Sequence, residues 1–189
     1  MAIKIYIDQG HNPTGNPNTG ASWYGQAEQD ITYEVGVMLA KMLRSDGRFQ
    51  VKLSRPTPET ALGTSNATSL VERVNQANRW PANYFISIHA NASTDTMVNG
   101  TEVYVYRLFT QANWLAEQVL NGIVENAGTK DNGVRVRPGL YVLKFTHMPA
   151  ILVEMAYMSN PEDAEKLRNH QYSFARGIYQ GILRYFGFA

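Results

Sequence analysis

The sequence of 189 residues contains no cysteine. Disulfides, thiolate metal sites, iron–sulfur clusters and cysteine nucleophiles are therefore excluded. Any bound metal has to be held by imidazole and carboxylate groups, and the chain has only four histidines. Few positions in the chain can therefore supply a histidine to a metal or acid–base site.

The charged residues show no excess of one sign, since 17 basic and 16 acidic side chains give a net charge of +1. Nucleic acids and anionic membranes are usually bound by strongly basic surfaces, so we predict neither as a partner. No apolar run approaches the roughly 18 residues of a membrane-spanning helix. The first eight residues also lack the pattern of a signal peptide. The length fits one domain over residues 1–189, which we expect to be a monomer.

Short apolar runs alternate along the chain with segments of helical periodicity. The predicted strands are residues 3–7, 49–53, 84–88, 101–106, 140–143 and 150–153. The predicted helices are residues 30–43, 70–77, 114–124 and 163–186, the last in one or two pieces. Strands that alternate with helices are typical of an α/β fold, in which helices cover both faces of a sheet.

Three ionisable residues follow three of the predicted strands. His11 comes just after the first strand, His89 follows residues 84–88, and Glu154 follows residues 150–153. In open α/β sheets the ligand crevice lies beyond the carboxyl ends of the strands. An ionisable group joined to a buried run is also costly unless it is paired or ligates something. The pattern predicts a functional site at this edge of the sheet.

Each of these residues also has an ordinary structural explanation. His11 could hold the following loop, and His89 could be a hydrogen-bonded core histidine. Glu154 could form a buried salt bridge with Arg137 or Arg73. Position alone leaves the functional and structural interpretations balanced.

Two histidines and a carboxylate are a known ligand set for catalytic zinc, with water in the fourth position. Glu28 is the best-placed carboxylate, because it ends the loop that starts at His11. Glu34 is the alternative, although the pattern places it more than a turn inside the first helix. The other two histidines are less suitable: His147 lies in a predicted loop, and His170 precedes a helix as a cap or surface residue.

The chain also carries five short motifs in order: Asp8-Gln-Gly-His11, Gly20-Ala21 followed by Glu28, Arg73-Val-Asn-Gln-Ala-Asn78, Ser87-Ile-His-Ala-Asn91, and Met148-Pro-Ala-Ile-Leu-Val-Glu154 followed by Ser159-Asn160. Together they resemble the zinc-dependent N-acetylmuramoyl-L-alanine amidases of bacterial cell walls. The first is similar to the family's opening Asp-Pro-Gly-His motif, with Gln9 in place of proline. Asn12 stands where the family commonly has glycine.

The resemblance implies that His11, Glu28 and His89 bind zinc and that Glu154 is the catalytic carboxylate. It also implies a single α/β catalytic domain with a twisted, mainly parallel sheet of about six strands. The expected substrate is peptidoglycan at the cell wall. There a zinc-activated water would cleave the amide between the lactyl group of N-acetylmuramic acid and L-alanine, with Glu154 moving the proton.

The ligand set by itself leaves two other functions open. A zinc carboxypeptidase or endopeptidase acting on the stem peptide would use the same donors. A non-catalytic peptidoglycan-binding domain would be expected to lack a ligand or the base, and here all four residues are present. Only the resemblance favours the amidase over a zinc peptidase.

Overall fold

The computed structural model describes residues 2–189. The strands are β1 (Ile3–Gln9), β2 (Ser22–Trp23), β3 (Gln26–Ala27), β4 (Phe49–Leu53), β5 (Tyr84–Asn91), β6 (Thr101–Val105), β7 (Asp131–Val136) and β8 (Ala150–Tyr157). The helices are α1 (Glu28–Ser45), α2 (Asn66–Arg79), α3 (Gln111–Ala127), α4 (Tyr141–Lys144), α5 (Pro161–Asn169) and α6 (Gln171–Tyr185). Within residues 2–189, no helix is both long enough and apolar enough to cross a bilayer.

Six strands form one sheet in the order β4-β1-β5-β8-β6-β7. All neighbours run parallel except β6 and β8, which are antiparallel. The remaining strands, β2 and β3, form a small hairpin just before α1. The expected α/β fold with a mainly parallel sheet of about six strands is therefore confirmed.

Side chains alternate between the two faces of the sheet, and each face has its own apolar cluster. Ile7 and Ile88 belong to the larger cluster, which is completed by residues of α1, α3 and α6. Tyr6, Phe85 and Leu152 belong to the smaller cluster, which includes residues of α2 and α4. Helices thus cover both faces, as predicted. Glu154 follows Leu152 by two residues and continues the smaller face toward the carboxyl end of its strand.

Two elements differ from the predictions. Residues 140–143 were predicted as a strand, but Tyr141–Lys144 is a short helix that follows Pro138 and Gly139. Periodicity cannot distinguish a strand from a helical turn in an apolar run of four residues. The sixth strand is instead Asp131–Val136, a half-exposed edge strand whose pairing with β6 is irregular near Gly133, at φ 86°. The expected break in the last helix is confirmed, because α5 and α6 are separate and meet at His170.

Candidate metal and catalytic site

The structure brings His11, Glu28 and His89 together from three elements. His11 lies two residues beyond β1, Glu28 is the first residue of α1, and His89 lies within β5. One potential ligand atom from each residue lies within 4.8 Å of the other two. Nε2 of His11 is 3.1 Å from Oε2 of Glu28, and Nδ1 of His89 is 3.0 Å from Oε1. Two imidazoles and one carboxylate therefore converge on one small space.

Glu28 occupies the centre of this group and is only 5% exposed. Its Oε2 accepts a hydrogen bond from the backbone N–H of Ala21, and its Oε1 accepts one from Ala90. Burial alone raises the pKa of Glu28, but the hydrogen bonds with His11 and His89 outweigh burial and hold the pKa well below its usual range. The carboxylate is thus ionised, as a metal ligand has to be. Glu34 lies exposed on α1, outside the group.

His11 adopts a left-handed backbone conformation with φ 68°. Non-glycine residues seldom occupy this region, and such strain is concentrated at functional sites. Nδ1 of His11 lies 3.2 Å from the carbonyl oxygen of Asn18. When a metal replaces the hydrogen bond between Nε2 and Glu28, a proton on Nδ1 donated to that carbonyl would leave the lone pair of Nε2 free for the metal, as is common for metal-binding histidines.

Gly20 allows the loop after His11 to fold tightly over Glu28. A Cβ at this position would lie 2.5 Å from Oε2 of Glu28 and 2.9 Å from Cδ2 of His11. Both distances are shorter than real Cβ contacts. Only glycine fits at this position without displacing one of the potential ligands.

Arg73 of α2 stabilises the same loop through a buried ion pair and hydrogen bonds to its backbone. It is 1% exposed and pairs with Asp8 at 2.5 Å. It also donates hydrogen bonds to the carbonyl oxygens of Gln9 and His11, each at 2.6 Å. Burial by itself raises the pKa of Asp8, but the charge of Arg73, the nearby His89 and the hydrogen bonds from Ser87 and Arg73 together outweigh burial, and the pKa is lowered. The suggested salt bridge between Arg73 and Glu154 is therefore wrong, because Arg73 is committed to Asp8 and the loop.

Glu154 of β8 is the register partner of His89 on one side and of Glu102 in β6 on the other. Its Oε2 atom is buried and has no hydrogen-bond partner among residues 2–189. Burial, followed by the nearby charges of Glu28 and Glu102, raises the pKa of Glu154 well above its usual value. No salt bridge is formed by Glu154 within residues 2–189. The suggested partner Arg137 lies instead over the ring of Tyr104, 5.2 Å from its centroid.

Glu102, which is 2% exposed, is not among the site residues predicted from the sequence. It accepts hydrogen bonds from the hydroxyls of Tyr104 at 2.6 Å and Tyr157 at 2.8 Å. Its Oε1 is also 3.3 Å from Nη1 of Arg135. The available signal was an acidic residue in the alternating strand at residues 101–106, on the face of the sheet that carries Glu154.

Comparisons with known proteins identify the family of this chain. A model of the N-acetylmuramoyl-L-alanine amidase family matches residues 5–184. The chain belongs to this family. It is 36% identical over 188 residues to the N-acetylmuramoyl-L-alanine amidase LytC of Bacillus subtilis (strain 168), a match that covers 96% of this chain and 35% of LytC. CwlM of Bacillus licheniformis, another amidase, is 35% identical over 192 residues, covering 97% of this chain and 69% of CwlM.

A solved structure of the same family has the same fold. The crystal structure of N-acetylmuramoyl-L-alanine amidase from Clostridium difficile 630 matches with a TM-score of 0.87 and 30% identity, over 98% of this chain and 97% of that chain. The present chain spans about a third of the length of LytC, so the shared region is one part of that longer relative.

The remaining histidines of this amidase-family chain lie outside the group. His147 is exposed in the loop after α4, where its backbone N–H donates to Oδ1 of Asn78. His170 is exposed between α5 and α6, with Nε2 4.0 Å from Glu165. The prediction that His170 is a cap or surface residue is confirmed.

The donors present fit a divalent cation that prefers nitrogen and oxygen ligands. Zinc in catalytic sites is held by three protein groups, and the set of two histidines and one glutamate is among those used. The partnerless buried oxygen of Glu154 beside the ionised Glu28 supports the same conclusion, since unpaired buried carboxylates are costly without a cation or proton nearby. A cavity of about 130 Å³, lined in part by His11, His89 and Tyr141, opens next to these donors.

Proposed function

We propose that this chain hydrolyses the amide that joins the lactyl group of N-acetylmuramic acid to L-alanine in peptidoglycan. Residues 1–189 would act as one catalytic domain at the bacterial cell wall. The observation that carries the proposal is the convergence of His11, Glu28 and His89 beside the partnerless buried oxygen of Glu154. Membership in the amidase family supports the choice of substrate and bond.

The proposed metal ligands are Nε2 of His11, the carboxylate of Glu28 and Nδ1 of His89, with zinc as the metal. Zinc at this position would supply a Lewis acid for the amide carbonyl and lower the pKa of a water molecule to about 7. Asn18 fixes the ring of His11, and the N–H groups of Ala21 and Ala90 fix both oxygens of Glu28. The donor geometry is thus supported by a surrounding set of hydrogen bonds.

Glu154 is the proposed general base and acid. Its Oε2 has no hydrogen bond to break before it accepts a proton from the attacking water. Because Glu154 is the register partner of the proposed ligand His89, it lies close enough to the reacting water to hold this proton until the tetrahedral species collapses. Glu154 then delivers the proton to the departing nitrogen of L-alanine, which leaves as an amine.

The product identifies the bond that is cut. Purified peptidoglycan would be digested with the zinc-loaded chain, and the soluble products analysed by mass spectrometry. We expect intact stem peptides with a new free amine on L-alanine. The control is the same chain stripped of metal with a chelator, before and after zinc is restored. Shortened stems that remain attached to muramic acid would instead identify a zinc peptidase, and the absence of any product would contradict a catalytic role.

A further inference from the structure

One half of the sheet carries a polar surface that the proposed chemistry does not use. We call it the β6–β7 platform, and its residues are Glu102, Tyr104, Tyr106, Arg135 and Arg137. Tyr104 is the register partner of Arg135 in β7, and Glu102 is that of Glu154 in β8. Register partners and residues two apart share a face, so these side chains lie on the same sheet face as the proposed base.

The platform is accessible, whereas the opposite face of the same strands is not. Val103 and Val105 are 0% exposed within the larger apolar cluster, to which α3 contributes. Tyr106 is 42% exposed, Arg135 and Arg137 are exposed, and Tyr104 is partly buried. Two aromatic rings and two guanidinium groups are therefore presented to solvent from strands that are rigidly packed on their other side.

The two arginines of the platform differ in whether an acidic side chain neutralises them. Arg135 is held by the buried Glu102, which neutralises it. Arg137 has no Asp or Glu oxygen within 4.0 Å among residues 2–189. Its guanidinium group rests on the ring of Tyr104, and the hydroxyl of that tyrosine is fixed by Glu102. Arg137 is thus a positioned cation with free donors, which suits a planar carboxylate.

We propose that the β6–β7 platform binds the stem peptide of the substrate and that Arg137 takes one of its carboxylates. This inference rests on the proposed amidase function. The sugar side of the scissile amide is uncharged, so an unbalanced cation complements only the peptide side. Two strand spacings and an offset of four residues place the backbone of Arg137 roughly 16 Å from that of Glu154. The guanidinium group lies over Tyr104, whose register partner Leu152 is two residues from Glu154, so about three extended residues span the remaining distance of roughly 10 Å.

The test compares two synthetic N-acetylmuramoyl tripeptides that differ only in whether the carboxyl groups of the stem are free or converted to carboxamides. We expect the parent to have a higher kcat/KM for the carboxylate form. Arg137→Gln keeps the length of the side chain and removes its charge. This variant should lower the ratio of the two kcat/KM values by about 10-fold, mainly through KM, because charge-assisted hydrogen bonds are stronger than neutral ones.

Arg176→Gln is the matched control, because Arg176 is an exposed arginine on α6, on the other side of the sheet. It should leave the ratio as in the parent, and thermal unfolding should confirm that both variants are folded. If the parent cleaves both substrates and Arg137→Gln keeps the parental ratio, the platform proposal is wrong while the amidase function stands. If the folded, zinc-loaded parent cleaves neither substrate at the amide, the proposed function itself fails, and the platform proposal fails with it.

Discussion

Glu154 and Glu102 face each other across antiparallel strands as direct register partners. The two carboxylates differ in their surroundings. Glu102 is satisfied by two tyrosine hydroxyls and by Arg135, whereas Glu154 keeps a buried oxygen without a partner. Like charges placed directly opposite each other destabilise a sheet. Glu102 is therefore fixed by its partners, while the unpartnered oxygen of Glu154 fits its proposed role as the base.

Glu154→Gln should abolish most turnover without loss of metal. Glutamine keeps the shape of the side chain but cannot take up the proton, and general acid–base catalysis contributes about 10²–10⁴-fold. We expect a rate loss of at least that size, near-stoichiometric zinc and no loss of thermal stability, since a buried charge is removed. Initial rates, elemental analysis and calorimetry provide the three readouts. A variant that cleaves at the parental rate would show that Glu154 is not the base.

His89→Ala should lose both bound zinc and activity, because it removes one of three proposed ligands. His147→Ala and His170→Ala are the controls, since both histidines are exposed and lie outside the group. Elemental analysis after dialysis against metal-free buffer measures the zinc content. Full zinc occupancy in His89→Ala would contradict the proposed ligand set.

Glu28→Ala should weaken zinc binding far more than Glu34→Ala. Glu28 contacts both histidines, whereas Glu34 is exposed on the same helix. Competition with a fluorescent zinc chelator measures the two dissociation constants. Equal effects of the two substitutions, or a larger effect of Glu34→Ala, would require another third ligand.

Gly20→Ala should weaken zinc binding although no proposed ligand is changed. The new methyl group would overlap Oε2 of Glu28 and Cδ2 of His11, so at least one of them has to move. Gly47→Ala is the control, because a Cβ there meets no atom within 4 Å. The same chelator competition applies, and a Gly20→Ala variant with parental affinity would show that the loop tolerates the displacement.

Asp8→Asn should destabilise the fold in a pH-dependent way. The pKa of Asp8 is lowered in the folded state, so its contribution is fully present above the unfolded pKa of about 3.9 and is lost as the pH falls through the folded pKa. Breaking the buried pair with Arg73 costs about 3–5 kcal/mol near neutral pH. Urea unfolding at several pH values measures the gap between parent and variant. The gap should shrink below about pH 4, and a constant gap would contradict this account.

The sequence was most informative where a local pattern reflects burial. The central strands β1, β5 and β8 are apolar runs long enough to be recognised, and the polar residues that follow those runs led to His11, His89 and Glu154. Edge strand β7 was missed because it is half-exposed and has only two apolar residues, Val134 and Val136. The short helix α4 was predicted as a strand because a run of four residues is too short to show a helical or strand periodicity.

The partners of the site residues were harder to predict than the residues themselves. Arg73 reaches Asp8 across 65 positions in the chain, and Tyr157 reaches Glu102 across 55. Such contacts depend on strand order and on which helix covers which face, and local periodicity encodes neither. The sequence therefore indicated where charged groups lie, while the structure shows which of them are neutralised and which are free.

The position of β8 determines how late in synthesis the six-stranded sheet can be completed. β8 lies between β5 and β6, so it joins the three strands β4, β1 and β5 to the pair β6 and β7. A chain synthesised from its N-terminus makes β1, α1 and β5 first, and the segment that bridges the two parts of the sheet emerges about 60 residues after β5. The proposed base is carried on that late segment. A nascent or truncated chain that ends before residue 150 thus holds the three proposed metal donors but lacks the proposed base, so under this proposal hydrolytic activity requires the complete sheet.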